Sequence, residues 1–307
     1  MAPSDSLAAV YAQARNCGAL LDLSDRAQFR LTGADRVRYL NGQVTNDIRR
    51  VRGDAALPAC VTTAKGKLSG IIYVSAGPDF LRIDTEPVLR EPLAARLERY
   101  IIADDVALED ATGQECLLHV VPPRLFAGCP GTEIRAATRF GVPGIDLSAP
   151  FAERDRILRH LVISYGFLPP ELAECLRIES GAPAWGAELN EDTLPPEAGL
   201  DKTAIDYHKG CYIGQEVISR LKSVGHVNRQ LTGFTAPQPL APGMTLHPDA
   251  EPDKTAGEIT SAIWSFGLES WAALGYLKRA FADAALHARS TGGPAIAVHT
   301  RILPLVP

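Results

Sequence analysis

The chain is organised around the stretch Lys209-Gly210-Cys211-Tyr212-Ile213-Gly214-Gln215-Glu216. This stretch places a thiol between an ammonium group and an aromatic ring. The glycines at both ends permit positive φ and leave the sulfur without bulky neighbours. A nearby lysine lowers the pKa of a thiol and increases the fraction of thiolate, which is the reactive form. Cys211 is therefore the candidate reactive atom, and Lys209 is the candidate activating cation.

Two alternatives for Cys211 stay open. Free cysteine is among the most buried residue types, so Cys211 could be a small apolar side chain beside a glycine turn. Two glycines, a lysine, a glutamine and a glutamate within eight residues are poor material for a core, which favours a shaped loop. A dyad with His208 would indicate a hydrolytic or acyl-transfer enzyme, but the sequence names no third group to orient the imidazole.

The composition is that of an ordinary globular protein. The 307 residues are 46% hydrophobic and 22% charged, which is enough for two or three domains with a substantial core. The net charge of −5 argues against binding of a phosphate backbone, so we expect no nucleic-acid partner. No apolar run of about 20 residues occurs, which predicts no membrane span.

The cysteines indicate the compartment and exclude a local metal motif. The six of them, at positions 17, 60, 116, 129, 175 and 211, contain no C-x-x-C pair, so no metal site is predicted. So few cysteines in so long a chain do not form a disulfide framework. The first residues carry no basic patch before an apolar stretch, unlike a secretory signal. We therefore expect a cytoplasmic protein.

Hydrophobic periodicity predicts an α+β fold. Short strands are indicated at 29–32, 56–60, 68–75, 80–84, 106–108 and 116–121, and helical spacing at 7–14, 91–101 and 151–165. A helical turn or two at 35–40 is expected to end at Gly42, and strand character is expected from Leu176. Strands on both sides of one helix indicate an inserted α+β unit at about 49–141. Short strands after residue 231 indicate a small barrel or sandwich.

The stretch at 209–216 resembles the signature loop of the YgfZ family, folate-binding proteins of iron-sulfur cluster maintenance related to the glycine cleavage T-protein, an aminomethyltransferase. The resemblance extends over most of the chain in the family's order. Its other segments are Leu40-Asn41-Gly42-Gln43-Val44-Thr45-Asn46-Asp47, Thr63-Ala64-Lys65-Gly66-Lys67, Arg177-Ile178-Glu179-Ser180-Gly181, Pro196-Glu197-Ala198-Gly199-Leu200, Gly257-Glu258-Ile259-Thr260-Ser261 and Ala273-Leu274-Gly275-Tyr276-Leu277.

This resemblance implies a three-domain clover-leaf ring with mostly antiparallel sheets, flanking helices and a C-terminal β-barrel. The implied domains are a discontinuous folate-binding unit of residues 1–48 and 142–227, an inserted unit of 49–141 and a barrel of 228–307. Tetrahydrofolate, or a one-carbon-substituted reduced folate, is the implied cofactor. Iron-sulfur client or assembly proteins are the implied partners.

The resemblance also implies a set of folate-binding residues. Glu179 is the expected pterin partner, because a carboxylate can accept two bonds from the pterin's donor edge. The segment 207–231 contains four cations, including Arg220 and Arg229, and Glu216 is counted as its only acid. This local excess of three positive charges suits the anionic tail of folate. The remaining candidates, in addition to Thr45, are Gln43, Asp47, Lys65, Tyr212, Gln215 and Glu216.

One departure separates the two related families. The T-protein has an aspartate pair shortly after the turn matched here by Lys65-Gly66-Lys67, and its catalytic carboxylate lies there. This chain reads Leu68-Ser69-Gly70-Ile71-Ile72-Tyr73, which contains no titratable acid. A folate-dependent one-carbon transferase or demethylase is therefore the second hypothesis. The first is a folate-binding protein that assembles or repairs iron-sulfur enzymes through Cys211.

Overall fold

The computed structural model describes residues 5–121 and 128–306. Helices and antiparallel strands alternate along these ranges. The α-helices in them are α1 Asp5–Cys17, α2 Arg36–Gln43, α3 Arg90–Glu98, α4 Arg154–Tyr165, α5 Pro170–Ser180 and α6 Gln215–Val224. Short 3-10 turns occupy Ile48–Arg50, Pro87–Leu89, Phe151–Glu153, Pro195–Ala198, Leu200–Lys202 and Arg279–Phe281.

A five-stranded antiparallel sheet forms the first layer. In sequence its strands are β2 Ala27–Thr32, β3 Leu57–Thr62, β4 Leu68–Ala76, β5 Leu81–Thr85 and β6 Ala107–Asp110, and in space their order is β3-β4-β5-β2-β6. Helices α2 and α3 contribute Leu40, Leu93 and Leu97 to its core. Alternation of buried and half-buried residues along β4 matches the period of a strand with one face on this core.

A second sheet has four strands in the order β1-β7-β9-β8. These are β1 Ala19–Asp22, β7 Glu115–Val121, β8 Glu133–Arg139 and β9 Val142–Pro150. Helix α4 covers it by packing Ile157 and Leu161 against Leu20, Leu118 and Leu147. Because β1 pairs with β7 and Leu20 forms a further bridge to Phe167, this sheet joins parts of the chain that are far apart in sequence.

The C-terminal strands close into a six-stranded barrel in the order β10-β13-β12-β11-β14-β15. They are β10 Arg229–Ala236, β11 Thr245–Pro248, β12 Gly257–Ser265, β13 Ser270–Lys278, β14 Leu286–Arg289 and β15 Ile296–Arg301. Phe234, Leu246 and Ala288 are fully buried inside it. The predicted α+β class and C-terminal barrel are confirmed, and the sandwich alternative is excluded.

The predicted domain limits stay a prediction. Both N-terminal sheets combine strands from inside and outside the predicted inserted unit of 49–141. In the first sheet β2 pairs with β5 and β6. In the second sheet β7 pairs with β1 and β9, and β8 pairs with β9. None of the described helices is both long and apolar enough to cross a membrane.

Two local predictions were wrong. Strand character was expected from Leu176, but this residue lies in α5, which starts with Pro170 and ends at Gly181 in the left-handed conformation with φ of 74°. Buried residues at 172, 175, 176 and 179 have helical spacing, because α5 packs between α1 and the barrel. Gly42 lies inside α2 and does not end it.

Candidate functional site

Three of the quoted sequence segments meet at the loop of residues 209–214, called here the Cys211 loop. The Ile213 amide donates to the Gly42 carbonyl at 3.2 Å, and Thr62 Oγ1 donates to the Ile213 carbonyl at 2.5 Å. Gly214 has φ of 90°, and a side-chain carbon there would lie 2.6 Å from the Thr63 carbonyl oxygen. Glycine is therefore required at 214 for the loop to approach the turn at 63–67.

Lys209 fastens this loop to the segment after α2. Its buried Nζ donates to the carbonyl oxygens of Asn41 at 2.7 Å, Val44 at 2.7 Å and Asn46 at 2.6 Å. Burial lowers the pKa of Lys209 to about 8. All three ammonium protons are occupied by backbone oxygens, so the position of Lys209 is that of an anchor. Its predicted role as the activating cation of Cys211 stays a prediction.

A second fastening comes from Thr45 and Asn46. Thr45 Oγ1 donates to the Ala204 carbonyl at 2.6 Å and accepts from the Cys60 amide at 2.9 Å. Asn46 Nδ2 donates to the Thr203 carbonyl at 3.3 Å. Asn46 was not singled out from the sequence, because nothing in the pattern shows that its amide reaches a segment over 150 residues away.

Cys211 is exposed at the surface of the loop. Cys17 is exposed too, whereas the other four cysteines are buried. The alternative of a packed Cys211 is therefore wrong, because the loop turns Tyr212 inward and leaves the thiol outside. No hydrogen bond joins Cys211 to His208 among the described residues, and the His208 amide donates instead to Asp206 Oδ1 at 2.7 Å.

Tyr212 is the inward-facing residue of the loop. It packs against Ile205 and Ile218, with Tyr207 at the edge of this cluster. Lys209 Nζ lies 5.2 Å from the centre of its ring. Its buried hydroxyl has no hydrogen-bond partner among the described residues, and burial raises its pKa. A buried polar atom without a protein partner is uncommon in folded proteins.

The remaining predicted residues near the loop have different surroundings. Gln43 Oε1 accepts from Arg96, whose guanidinium also donates to the Thr62 carbonyl at 3.0 Å. Asp47 caps the turn that follows it and holds the Arg49 guanidinium at 2.8 Å, which keeps the pKa of Asp47 below its usual range. Gln215 starts α6 and is half-buried, and the exposed side chains are Lys65, Glu216 and Arg220.

Glu179 lies elsewhere, at the junction of α1, α5 and the β12–β13 hairpin. Its buried carboxylate accepts from Tyr11 Oη at 2.7 Å, Ser265 Oγ at 2.6 Å and the Gly267 amide at 3.2 Å. The Cys175 thiol is 3.3 Å from Oε1. Both carboxylate oxygens are thus occupied, and none of these partners belongs to the segments that meet at the Cys211 loop.

The predicted cation Arg229 has a carboxylate partner that sequence reasoning missed. Arg229 Nε donates to Glu197 Oε2 at 2.8 Å, and the guanidinium lies 4.5 Å from the centre of the Tyr276 ring. Glu197 is buried, but its Oε1 accepts no hydrogen bond from the described residues. The 3-10 turn that carries Glu197 contacts both β10 and α6. Its quoted segment, 196–200, was the available signal.

Comparisons with known proteins agree with the quoted segments. The chain is 29% identical over 243 residues to the tRNA-modifying protein YgfZ of Escherichia coli O157:H7, covering 69% of this chain and 70% of that protein. It is 28% identical over 308 residues to the mitochondrial aminomethyltransferase of Gallus gallus, covering 87% and 75%. The predicted resemblance is confirmed. No family model matches the chain.

Two further similarities extend this result. A putative chloroplastic transferase of Arabidopsis thaliana is 25% identical over 286 residues, which are 85% of this chain, and the chain spans 65% of that relative's length. The crystal structure of aminomethyltransferase T from Bartonella henselae superposes with a TM-score of 0.85 at 16% identity, over 98% of this chain and 89% of that one. The chain therefore has the fold of the aminomethyltransferase T.

Proposed function

We propose that this YgfZ-type protein binds a reduced folate and acts through Cys211 in the assembly or repair of iron-sulfur enzymes. The observation that carries the proposal is an exposed thiol on a loop that a buried lysine fastens to the body of the protein. A thiol held in place but open to solvent can reach a group on another protein. The similarity to YgfZ and to aminomethyltransferases supports the folate part.

Three described residues, Glu197, Tyr212 and Arg229, offer groups that suit a reduced folate. Glu197 has a free carboxylate oxygen, which suits the N–H donors of a pterin, and Tyr212 has a free buried hydroxyl. Arg229 beside Glu197 suits an anionic group. A bound reduced folate would supply a carrier for one-carbon units. The pterin-binding role predicted for Glu179 stays a prediction, and both its oxygens accept hydrogen bonds within the protein.

The second candidate is a folate-dependent one-carbon transferase, and the similarity to the chicken aminomethyltransferase favours it. Transfer to or from a folate nitrogen requires a group that positions the nitrogen and moves a proton. Strand β4 begins with the residues Leu68, Ser69 and Gly70 at the place where the T-protein has its aspartates, and none of them titrates. This candidate therefore ranks second.

The name of the E. coli relative links that protein to tRNA modification. For this chain we infer no direct RNA binding, because its net charge of −5 disfavours contact with a phosphate backbone. A role in maintaining an iron-sulfur enzyme that itself modifies RNA would satisfy both observations.

Calorimetry and thermal unfolding with tetrahydrofolate test the folate part. We expect the ligand to raise the melting temperature of the wild type, because a ligand that binds only the folded state stabilises it. Glu197→Gln should weaken binding by about tenfold or more, since it removes the charge of the acceptor. Glu191→Gln makes the same change from carboxylate to carboxamide at an exposed position shortly before Glu197, and it is the matched control. Wild-type protein that binds no tetrahydrofolate at millimolar concentration would remove the folate part.

Replacement of the chromosomal copy tests the thiol part. Cells carrying Cys211→Ser should lose activity of iron-sulfur enzymes, most visibly under oxidative stress, at an unchanged level of the variant protein. Cys17→Ser, which removes the other exposed thiol, should have no such effect. Full enzyme activity in the Cys211→Ser cells would end the claim that this thiol is functional.

A further inference from the structure

Helix α6 starts at the Cys211 loop and carries an apolar strip that the rest of the described chain covers only in part. Val217, Leu221 and Val224 are four and three residues apart, so their side chains line one side of the helix. Ile218 is the only buried residue of α6. Val217 and Leu221 are half-buried, and Val224 is 53% exposed. Most surface helices bury their apolar side, whereas this strip stays partly open and is most exposed at Val224.

Exposed cations lie on α6 and on the neighbouring turn, and Glu216 is the one exposed acid of this helix. Lys65, Arg220 and Lys222 are exposed and form no ion pair among the described residues, and Lys222 Nζ lies 5.0 Å from the centre of the Tyr207 ring. The turn that carries Lys65 touches the strip, because a side-chain carbon on Gly66 would lie 3.0 Å from Val217 Cβ. This positive cluster stands out in a protein whose net charge is −5.

We propose that α6 and the turn at 63–67 form the docking surface for an acidic segment of a client protein, whose apolar side chains cover the strip. Carboxylates on such a segment would complement Lys65, Arg220 and Lys222, and an amphipathic helix is the form in which apolar side chains reach a strip of this spacing. Cys211 lies four residues before α6, so a segment docked on the helix has its end beside the thiol.

The chemistry of the strip favours protein over RNA. Single-stranded RNA is bound through aromatic rings or guanidinium planes on which bases stack. The strip itself offers aliphatic side chains, which pair with aliphatic side chains, and the exposed guanidinium of Arg220 beside it suits a carboxylate of an acidic segment. The inference rests on the proposed function, because it takes the client to be a protein that Cys211 serves.

Fluorescence anisotropy with synthetic probes tests the docking surface. The probes are a labelled 15-residue helical peptide of glutamate and leucine, its lysine and leucine counterpart, and a labelled 12-nucleotide oligouridine. We expect the acidic peptide alone to bind the wild-type protein. Leu221→Glu, Val224→Glu and Arg220→Glu should each weaken that binding by about tenfold or more, which corresponds to about 1.4 kcal/mol.

Matched controls come from α4, another surface helix. Ile163→Glu and Arg159→Glu make the same changes at exposed positions, and binding should change less than about twofold. Oligouridine binding that the α6 variants weaken, no binding of the acidic peptide at millimolar concentration, or equal losses in the α4 and α6 variants would each overturn the proposal.

Measurements on the same α6 variants keep this proposal separate from the proposed function. We expect Val224→Glu to keep the wild-type thermal shift with tetrahydrofolate and the wild-type rate of Cys211 alkylation while losing the acidic peptide. If peptide binding behaves as expected but tetrahydrofolate fails to bind the wild type, the docking surface stands and the folate part falls. Loss of alkylation together with peptide binding would indicate a distorted loop and would overturn the docking surface.

Discussion

The Cys211 loop and the Glu179 junction each contain a buried ionisable side chain that the sequence nominates for chemistry. In both places the structure gives that side chain protein partners: three carbonyls for Lys209, and a phenol, a hydroxyl and an amide for Glu179. The two regions differ in the residues that lie beside Lys209 and Glu179. The loop exposes a thiol two residues from Lys209, whereas at the junction both Glu179 and the neighbouring Cys175 are buried. A motif residue can thus hold a site in place while its neighbour is available for the chemistry.

The largest effect should come from Glu179→Ala, which would break the Glu179 junction. It leaves Tyr11 Oη, Ser265 Oγ and the Gly267 amide without their acceptor. We expect a loss of about 3 to 5 kcal/mol in the free energy of unfolding, measured by urea denaturation. Glu171→Ala, at an exposed position of the same helix, should cost less than about 1 kcal/mol. Similar losses in both variants would show that Glu179 is not a structural anchor.

Lys209→Met is the corresponding change at the loop, and we expect it to cost about 2 to 4 kcal/mol. Methionine has a similar length but no donor, so the carbonyls of Asn41, Val44 and Asn46 lose a shared partner. Lys202→Met, an exposed position, is the control and should fall within about 0.5 kcal/mol. A wild-type stability for Lys209→Met would contradict the anchoring role.

The pH dependence of stability tests the cost of burying the Lys209 ammonium, which opposes the gain from its three hydrogen bonds. Lys209 has a pKa of about 8 in the folded protein against its usual 10.5, so between these values the unfolded chain holds a proton that the folded chain has released. Its contribution to stability is therefore fully present above pH 10.5 and is lost as the pH falls through 8. Relative to Lys209→Met, the wild type should gain about 1 kcal/mol from pH 7 to pH 9. A difference that is constant with pH would refute the shift.

The smallest effect should be on stability in Cys211→Ser, within about 0.5 kcal/mol, because the thiol is exposed. Alkylation of the native protein at pH 7, followed by peptide mass analysis, should label Cys211 and Cys17 well before the buried Cys60, Cys116, Cys129 and Cys175. Labelling of Cys175 at the rate of Cys211 would mean that the Glu179 junction opens readily and that the two regions do not differ as described.

Sequence patterns predicted the architecture better than the role of each residue. The alternation in 68–75 and the spacing in 151–165 predicted β4 and α4 because each buries one side on a core. The strand predicted from Leu176 was wrong because its apolar residues were judged without Pro170, which starts the helix. The sequence pattern does not show where a polar side chain points. It could not show that Lys209 Nζ donates to the Asn41 carbonyl, or that Glu197 pairs with Arg229, 32 residues later in the chain.

The pairing of β1 has a consequence for the newly made chain. Ala19–Asp22 has β7 as its sheet partner, and β7 begins only at Glu115, after the 92 residues from 23 to 114. At about 5 to 20 residues per second, a ribosome takes roughly 5 to 20 s to make that interval. During this interval Leu20 and Leu21 lack their neighbours in β7. The nascent chain therefore carries a short apolar segment that chaperones and other nascent chains can bind until β7 emerges.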